Sequence, residues 1–270
     1  MYQLYGHQNS GAAAIEAALE LCEIPYRFID VELSSEAAQA LEKLNRLKQI
    51  PTLQLPDGSI LTESAAILIH LGLTFPKSNL LPTLPADRDQ AIRGLTYIVS
   101  NCYAAIGIID YPERWLAETD EASRQNLMAG ARARLHWSWE VFADQFSGEL
   151  YLGDETPGAL DVLAAVVSRW AGSREHLRNT RPGFFAWLER IDRHPTLAPV
   201  FARLLQGFVV CPDYSPRMYC SSWRISSACS AIASLTRSPI DSKPINLPFS
   251  TTGRWRSRRS DMMPRQVSTV

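Results

Sequence analysis

Gln49-Ile50-Pro51-Thr52-Leu53-Gln54-Leu55-Pro56-Asp57-Gly58-Ser59-Ile60-Leu61-Thr62-Glu63-Ser64 decides how the rest of the chain is read. It reads as strand, turn, strand and helix start. Pro51 opens the first strand, where one backbone donor is lost. Pro56-Asp57-Gly58 makes the turn, proline presetting φ and glycine supplying φ > 0. The second strand runs into Glu63-Ser64, an acid and a hydroxyl at the mouth of an apolar helix. Together these suit a small zwitterion: a carboxylate for its ammonium, a hydroxyl and helix N–H groups for its carboxylate.

Working outward, Tyr2-Gln3-Leu4-Tyr5 alternates like a short strand and is followed by a turn-like stretch from Gly6 to Gly11. Residues 12–21 are dense in helix formers, with Ile15, Ala18, Leu19 and Cys22 on one face. Residues 26–31 read as a second strand, and a strand–helix–strand unit implies parallel pairing. Residues 35–48 form a polar helix or irregular loop, 52–62 the hairpin, and 64–73 a third helix. The expected organisation is an α/β domain over 1–76 and a linker over 77–85, where Pro82 and Pro85 follow Pro76. An all-helical domain over 86–206 follows, with helices near 86–109, 121–146, 159–172, 182–193 and 196–205.

The 270 residues are 46% hydrophobic and 20% charged, with net charge −1, as in a globular protein with a full core. Residues 211–270 carry +6, leaving −7 on the first 210. An acidic body argues against nucleic acid as a partner, although Arg254-Trp255-Arg256-Ser257-Arg258-Arg259 is basic. That last segment holds 13 Ser and 6 Pro and reads as a disordered or non-native tail over 207–270. Five cysteines without paired spacing exclude a disulfide framework or zinc site and fit a reducing compartment. No signal peptide is read at the start, and no apolar stretch approaches the ~20 residues needed to span a bilayer. The expectation is a cytoplasmic protein with no metal and no membrane.

Taken together, Gln49-Ile50-Pro51, Glu63-Ser64, Tyr111-Pro112-Glu113-Arg114-Trp115, Ala159-Leu160-Asp161-Val162-Leu163, and Arg181-Pro182 with His194-Pro195-Thr196-Leu197 resemble the cytosolic glutathione transferase superfamily over roughly residues 1–206. The resemblance implies a thioredoxin-like α/β domain plus an all-α helical bundle, with glutathione as co-substrate. It implies a cis bond before Pro51, the Ile50 backbone on the cysteinyl part of glutathione, Glu63 on the γ-glutamyl ammonium, Ser64 on its carboxylate, and Gln49 near the glycyl end. Ser10 occupies the thiol position, where a hydroxyl and the helix N-terminus can favour a thiolate. Tyr5 and Asn9 are alternatives. No cysteine stands at 8–12, which favours conjugation over disulfide chemistry. The electrophile pocket is expected against helix 86–109, at Tyr97, Asn101, Tyr103 and Trp115. Cys22 and Cys102 read as packing residues.

Asp161 matches a buried capping acid whose usual Ser or Thr partner is here Gly158. The implied activity is conjugation of glutathione to a small hydrophobic electrophile, with a role in detoxification, by a homodimer. The alternative is a non-catalytic glutathione-binding or protein-interaction module on the same fold.

Overall fold

A computed structural model describes residues 1–32, 35–117, 120–146, 150–152 and 155–205. The tail with its basic run and Cys211, Cys220 and Cys229 lies outside the described residues.

The first part is a four-stranded sheet in the order β2-β1-β3-β4. Strand β1 (Tyr2–Gly6) pairs parallel with β2 (Tyr26–Asp30) and antiparallel with β3 (Thr52–Gln54), which pairs with β4 (Ile60–Leu61). Helix α1 (Ala12–Leu21) is the parallel crossover, α2 (Ser35–Leu44) leads into β3, and α3 (Ser64–Thr74) follows β4. The hairpin turn has the chemistry its residues dictate: Gly58 has φ +90, and Asp57 Oδ1 accepts from the Ser59 N–H at 2.9 Å.

Helix α1 is apolar all round, and Ala12, Ala13, Ala14, Ile15, Ala17, Ala18 and Leu19 are fully buried. Such a helix must be covered on every side. It touches β1 and α3 of the sheet part, and α7 (Ala159–Val167) and α10 (Ala198–Leu204) of the helical part. One contiguous apolar core therefore runs from the sheet into the helices. The small alanine side chains let neighbouring backbones approach.

A buried carboxylate fastens this arrangement. Glu16, 1% exposed, accepts from Tyr26 Oη at 2.7 Å and from Arg203 of α10 at 2.5 Å. Arg203→Ala is expected to lower stability by about 1–3 kcal/mol, the range for removing one partner of a buried charged group. A urea denaturation midpoint equal to that of the parent would show that this contact contributes nothing.

The second part begins with α4 (Pro85–Tyr97), a π-helical segment Ile98–Tyr103, and α5 (Ala104–Asp110), continuous end to end. Long α6 (Glu121–Gln145), α7, α8 (Ser173–Thr180), α9 (Pro182–Asp192) and α10 complete it. Three sequence expectations need correction. The helix expected over 159–172 ends at Val167, and α8 is a separate helix, because Ala171 and Gly172 both take positive φ (53 and 76). The helix expected over 86–109 contains a π segment, which apolar spacing alone does not announce. Finally, the continuous helix Pro85–Asp110 is long and apolar enough, by length and composition, to cross a bilayer. Counting consecutive apolar residues misses this, since polar residues are scattered through it. Here it packs on α6 and α7 as a core helix.

At the start of α7, Asp161 is 2% exposed and its Oδ2 accepts from the Gly158 N–H at 2.9 Å. With glycine at the cap, only the carboxylate half of a reciprocal capping box can form. Space explains the glycine: a β-carbon on Gly158 would lie 3.1 Å from the Leu80 carbonyl oxygen, which itself accepts the Ala159 N–H at 2.8 Å.

Candidate functional site

The loop before β3 is held by polar side chains that the sequence did not flag. Asn45, 6% exposed, donates from Nδ2 to the Gln49 carbonyl and to Thr52 Oγ1, both at 3.0 Å. The fully buried Thr52 donates to the same carbonyl at 2.8 Å. These bonds fix Gln49-Ile50-Pro51 in place, and the Ile50–Pro51 bond is cis. An asparagine at the end of a polar helix, seven residues before a β-branched hydroxyl, is the only signal the sequence offered.

Register then brings the separate pieces together. Leu53 pairs with Leu61 and Gln54 with Ile60, so the same ladder extended backward sets Pro51 opposite Glu63. Tyr5 pairs with Thr52, which sets Pro51 beside Gly6 and the turn into α1. A β-carbon on Gly11 would lie 3.6 Å from Pro51 Cδ. The start of α1, the Pro51 loop and the start of α3 thus share one edge of the sheet.

At that edge Glu63 is exposed and has φ 63, ψ 110. For a residue with a β-carbon this is a sparsely populated region, and such outliers gather at binding sites. Ser64, 7% exposed, is the first residue of α3, and no side chain caps that helix. The α3 dipole and its first-turn N–H groups therefore face the edge. An exposed carboxylate beside a hydroxyl at a helix N-terminus offers one surface to a cation and the next to an anion.

Ser10 is 8% exposed. Its hydroxyl donates to the His7 carbonyl at 2.7 Å and accepts from the Ala12 N–H at 3.2 Å. The Ser10 carbonyl accepts the Ala13 N–H at 3.2 Å, and the Gly11 carbonyl accepts the Ala14 N–H at 3.1 Å. Ser10 acts here as a turn and capping residue, and the first N–H groups of α1 are already satisfied. Tyr5 packs with Val31 and Leu41 on the other face of the sheet.

Among the expected pocket residues, Tyr97 turns into the helical core. Its ring lies 5.8 Å from that of Phe142, and its hydroxyl donates to the Ser138 carbonyl at 2.9 Å. The aromatic layer on α6 captures it, so it does not join the sheet edge. Asn101 donates to the Tyr97 carbonyl at 3.1 Å, and Trp115 is 61% exposed. Tyr103 is the one that reaches the edge: a β-carbon on Gly11 would lie 2.0 Å from its hydroxyl oxygen. Cys22 is half-buried and Cys102 buried, and burial pushes both thiols up.

Among the described residues no cluster of His, Cys, Asp or Glu could hold a metal ion. A separate open depression of 740 Å3 is lined by Glu16, Glu20, Glu23 and Arg203. None of the sheet-edge residues borders it, and its acidic lining is unsuited to a ligand rich in carboxylates.

Residues 12–73 match the model of the glutathione S-transferase N-terminal domain. An uncharacterized GST-like protein, YncG of Escherichia coli (strain K12), is 28% identical over 207 residues, covering 75% of this chain and 98% of that protein. The chain belongs to the cytosolic glutathione S-transferase superfamily.

The glutathione S-transferase frame also holds for the fold. The crystal structure of a glutathione transferase homolog from sulfitobacter, with bound glutathione, superposes with a TM-score of 0.67 at 21% identity, covering 75% of this chain and 98% of that one. Maleylacetoacetate isomerase of Rhizobium meliloti is 40% identical over 100 residues, covering 36% of this chain and 46% of the isomerase. For this glutathione S-transferase family member the resemblance read from the sequence holds at the level of superfamily and fold.

Proposed function

We propose that this protein is a glutathione transferase that joins the glutathione sulfur to a small hydrophobic electrophile. The observation that carries the reading is the convergence of Pro51, Glu63 and Ser64 at one edge, with Glu63 held at φ 63. In this reading the Ile50 backbone meets the cysteinyl part as an added strand would. Glu63 takes the γ-glutamyl ammonium, Ser64 and the α3 N-terminus take its carboxylate, and Gln49 lies toward the glycyl end. The sulfur lies over the start of α1, at Ser10 and Gly11. The electrophile enters from the helical side, beside Asn101, Tyr103 and Trp115.

The chemistry is a substitution or an addition. The thiol loses its proton to solvent, and the thiolate is the nucleophile. A carbon–sulfur bond forms, and the leaving group departs with its electron pair. When an activated double bond is attacked instead, the displaced pair takes a proton from water. No metal is required. We place the protein in the cytoplasm, in detoxification, as a homodimer.

Calorimetry with glutathione, joined to a conjugation screen over aryl halides, epoxides and unsaturated carbonyls, tests the reading. Micromolar-to-millimolar binding and turnover of at least one class are expected. Binding without any turnover would instead support a non-catalytic glutathione-binding protein on the same fold. No binding would end both readings.

A further inference from the structure

We propose that Tyr103, reaching over from the helical part, is the hydroxyl that donates a hydrogen bond to the glutathione sulfur anion. This inference rests on the glutathione transferase reading above.

Three observations lead to it. A β-carbon built on Gly11 would lie 2.0 Å from Tyr103 Oη, 3.2 Å from its Cζ and 3.6 Å from Pro51 Cδ. The phenol therefore rests on the backbone at the start of α1, against the loop that would hold the cysteinyl part. Only glycine at position 11 leaves room for it. Second, Tyr103 closes the π-helical segment Ile98–Tyr103 inside an otherwise α-helical run. The wider turn shifts the phase of the residues that follow, and such segments recur at functional sites. The ring of Trp170, 6.1 Å away and tilted by 37°, supports the tyrosine from behind.

Third, the competing donor is already engaged. Ser10 has one hydroxyl hydrogen, and it goes to the His7 carbonyl at 2.7 Å. The N–H groups of Ala12 and Ala13 go to Ser10 itself. What α1 still offers an anion is its dipole, and the hydroxyl laid over it is that of Tyr103. A phenol, with a pKa of about 10, also lies close to a thiol at about 8.5, and a donor to an ionised acceptor makes one of the stronger hydrogen bonds. The proton of the thiol leaves to solvent while Tyr103 keeps its own. As the carbon–sulfur bond forms, the electron pair passes to the leaving group and the hydrogen bond to sulfur weakens.

The test titrates the thiol of bound glutathione by its ultraviolet thiolate absorbance in the parent protein, Tyr103→Phe and Ser10→Ala. In the parent, the bound thiol is expected at least about one unit below the free value of about 8.5. Tyr103→Phe should raise it by about one unit and lower kcat/KM about tenfold near pH 6.5, with the two rates converging above about pH 9. Glutathione affinity should stay within about threefold, because the substitution keeps the ring. His7, whose Nε2 lies 3.6 Å from Glu32, is the other titratable group of this turn. It is present in every variant and cancels in the comparison.

Gly11→Ala, which puts a methyl where the hydroxyl lies, should reproduce the Tyr103→Phe titration with an unchanged near-ultraviolet circular dichroism spectrum. A Tyr103→Phe titration identical to the parent's overturns the proposal. So does a rise carried by Ser10→Ala instead, or a parent thiol that titrates at its free value. Failure of the parent protein to bind glutathione would instead remove the glutathione reading itself, and this inference with it.

Discussion

Asp161→Ala is expected to lower the melting temperature by roughly 10 °C, from a loss of about 3 kcal/mol at about 2–4 °C per kcal/mol for a protein of this size. The carboxylate is 2% exposed and accepts from two backbone N–H groups, Leu152 at Oδ1 and Gly158 at Oδ2, both at 2.9 Å. Alanine leaves both donors unpaired, and a buried unpaired donor costs about 1–3 kcal/mol. The effect should also depend on pH. Burial pushes the Asp161 carboxyl up to about 7, against the pull of the Leu152 and Gly158 N–H groups. A group whose value is higher folded than unfolded holds its proton more tightly in the folded protein. Its contribution is therefore fully present below the unfolded value near 4 and is lost as pH rises toward 7. The gap in melting temperature between parent and Asp161→Ala should accordingly be wider at about pH 5 than at about pH 8. A gap that widens with rising pH would mean that the two N–H groups, and not burial, govern this carboxylate.

Glu63→Gly is expected to separate binding from stability. Glutathione affinity should fall about 10–100-fold, the effect of removing a hydrogen bond to a charged group. Stability should rise by about 1 kcal/mol, because glycine adopts φ 63 without the cost carried by a side chain. Glu63→Gln is the control: it keeps the backbone and the length of the side chain but removes the charge. It should lower affinity and leave the urea midpoint where it was. Calorimetry and denaturation on the same samples read both quantities. Unchanged affinity in both variants would take Glu63 out of the site.

The sheet part was legible because its signals are local. The helix over 12–21 follows from an unbroken run of helix formers, and the hairpin from Pro56-Asp57-Gly58 between alternating apolar residues. The second part was legible as helical, yet two features within it were not. The break before α8 depends on left-handed backbone at Ala171 and Gly172, and alanine gives no warning of that. The π segment depends on how the helix must turn to meet both α6 and the sheet part.

The site divides in the same way. Glu63, Ser64 and the cis proline loop stand out because their residue types are unusual at those places. Asn45 and Thr52, which hold the loop, look ordinary until their hydrogen bonds are seen. Four residues on or near one helix looked alike as pocket candidates. Packing sent Tyr97 to the aromatic layer of α6 and Tyr103 to the start of α1. Ser10 could be named from its position before the helix, but the direction of one hydroxyl hydrogen depends on where the His7 carbonyl lies.

By itself, the sequence determined the superfamily, the sheet with its crossover helix, and the acid–hydroxyl pair at the head of α3. These depend on residue type, spacing and turn chemistry within a few neighbours. Only the tertiary structure decided which hydroxyl lies over the α1 N-terminus. Tyr103 and Gly11 are brought together by the packing of two separate parts of the chain, and no local rule links them.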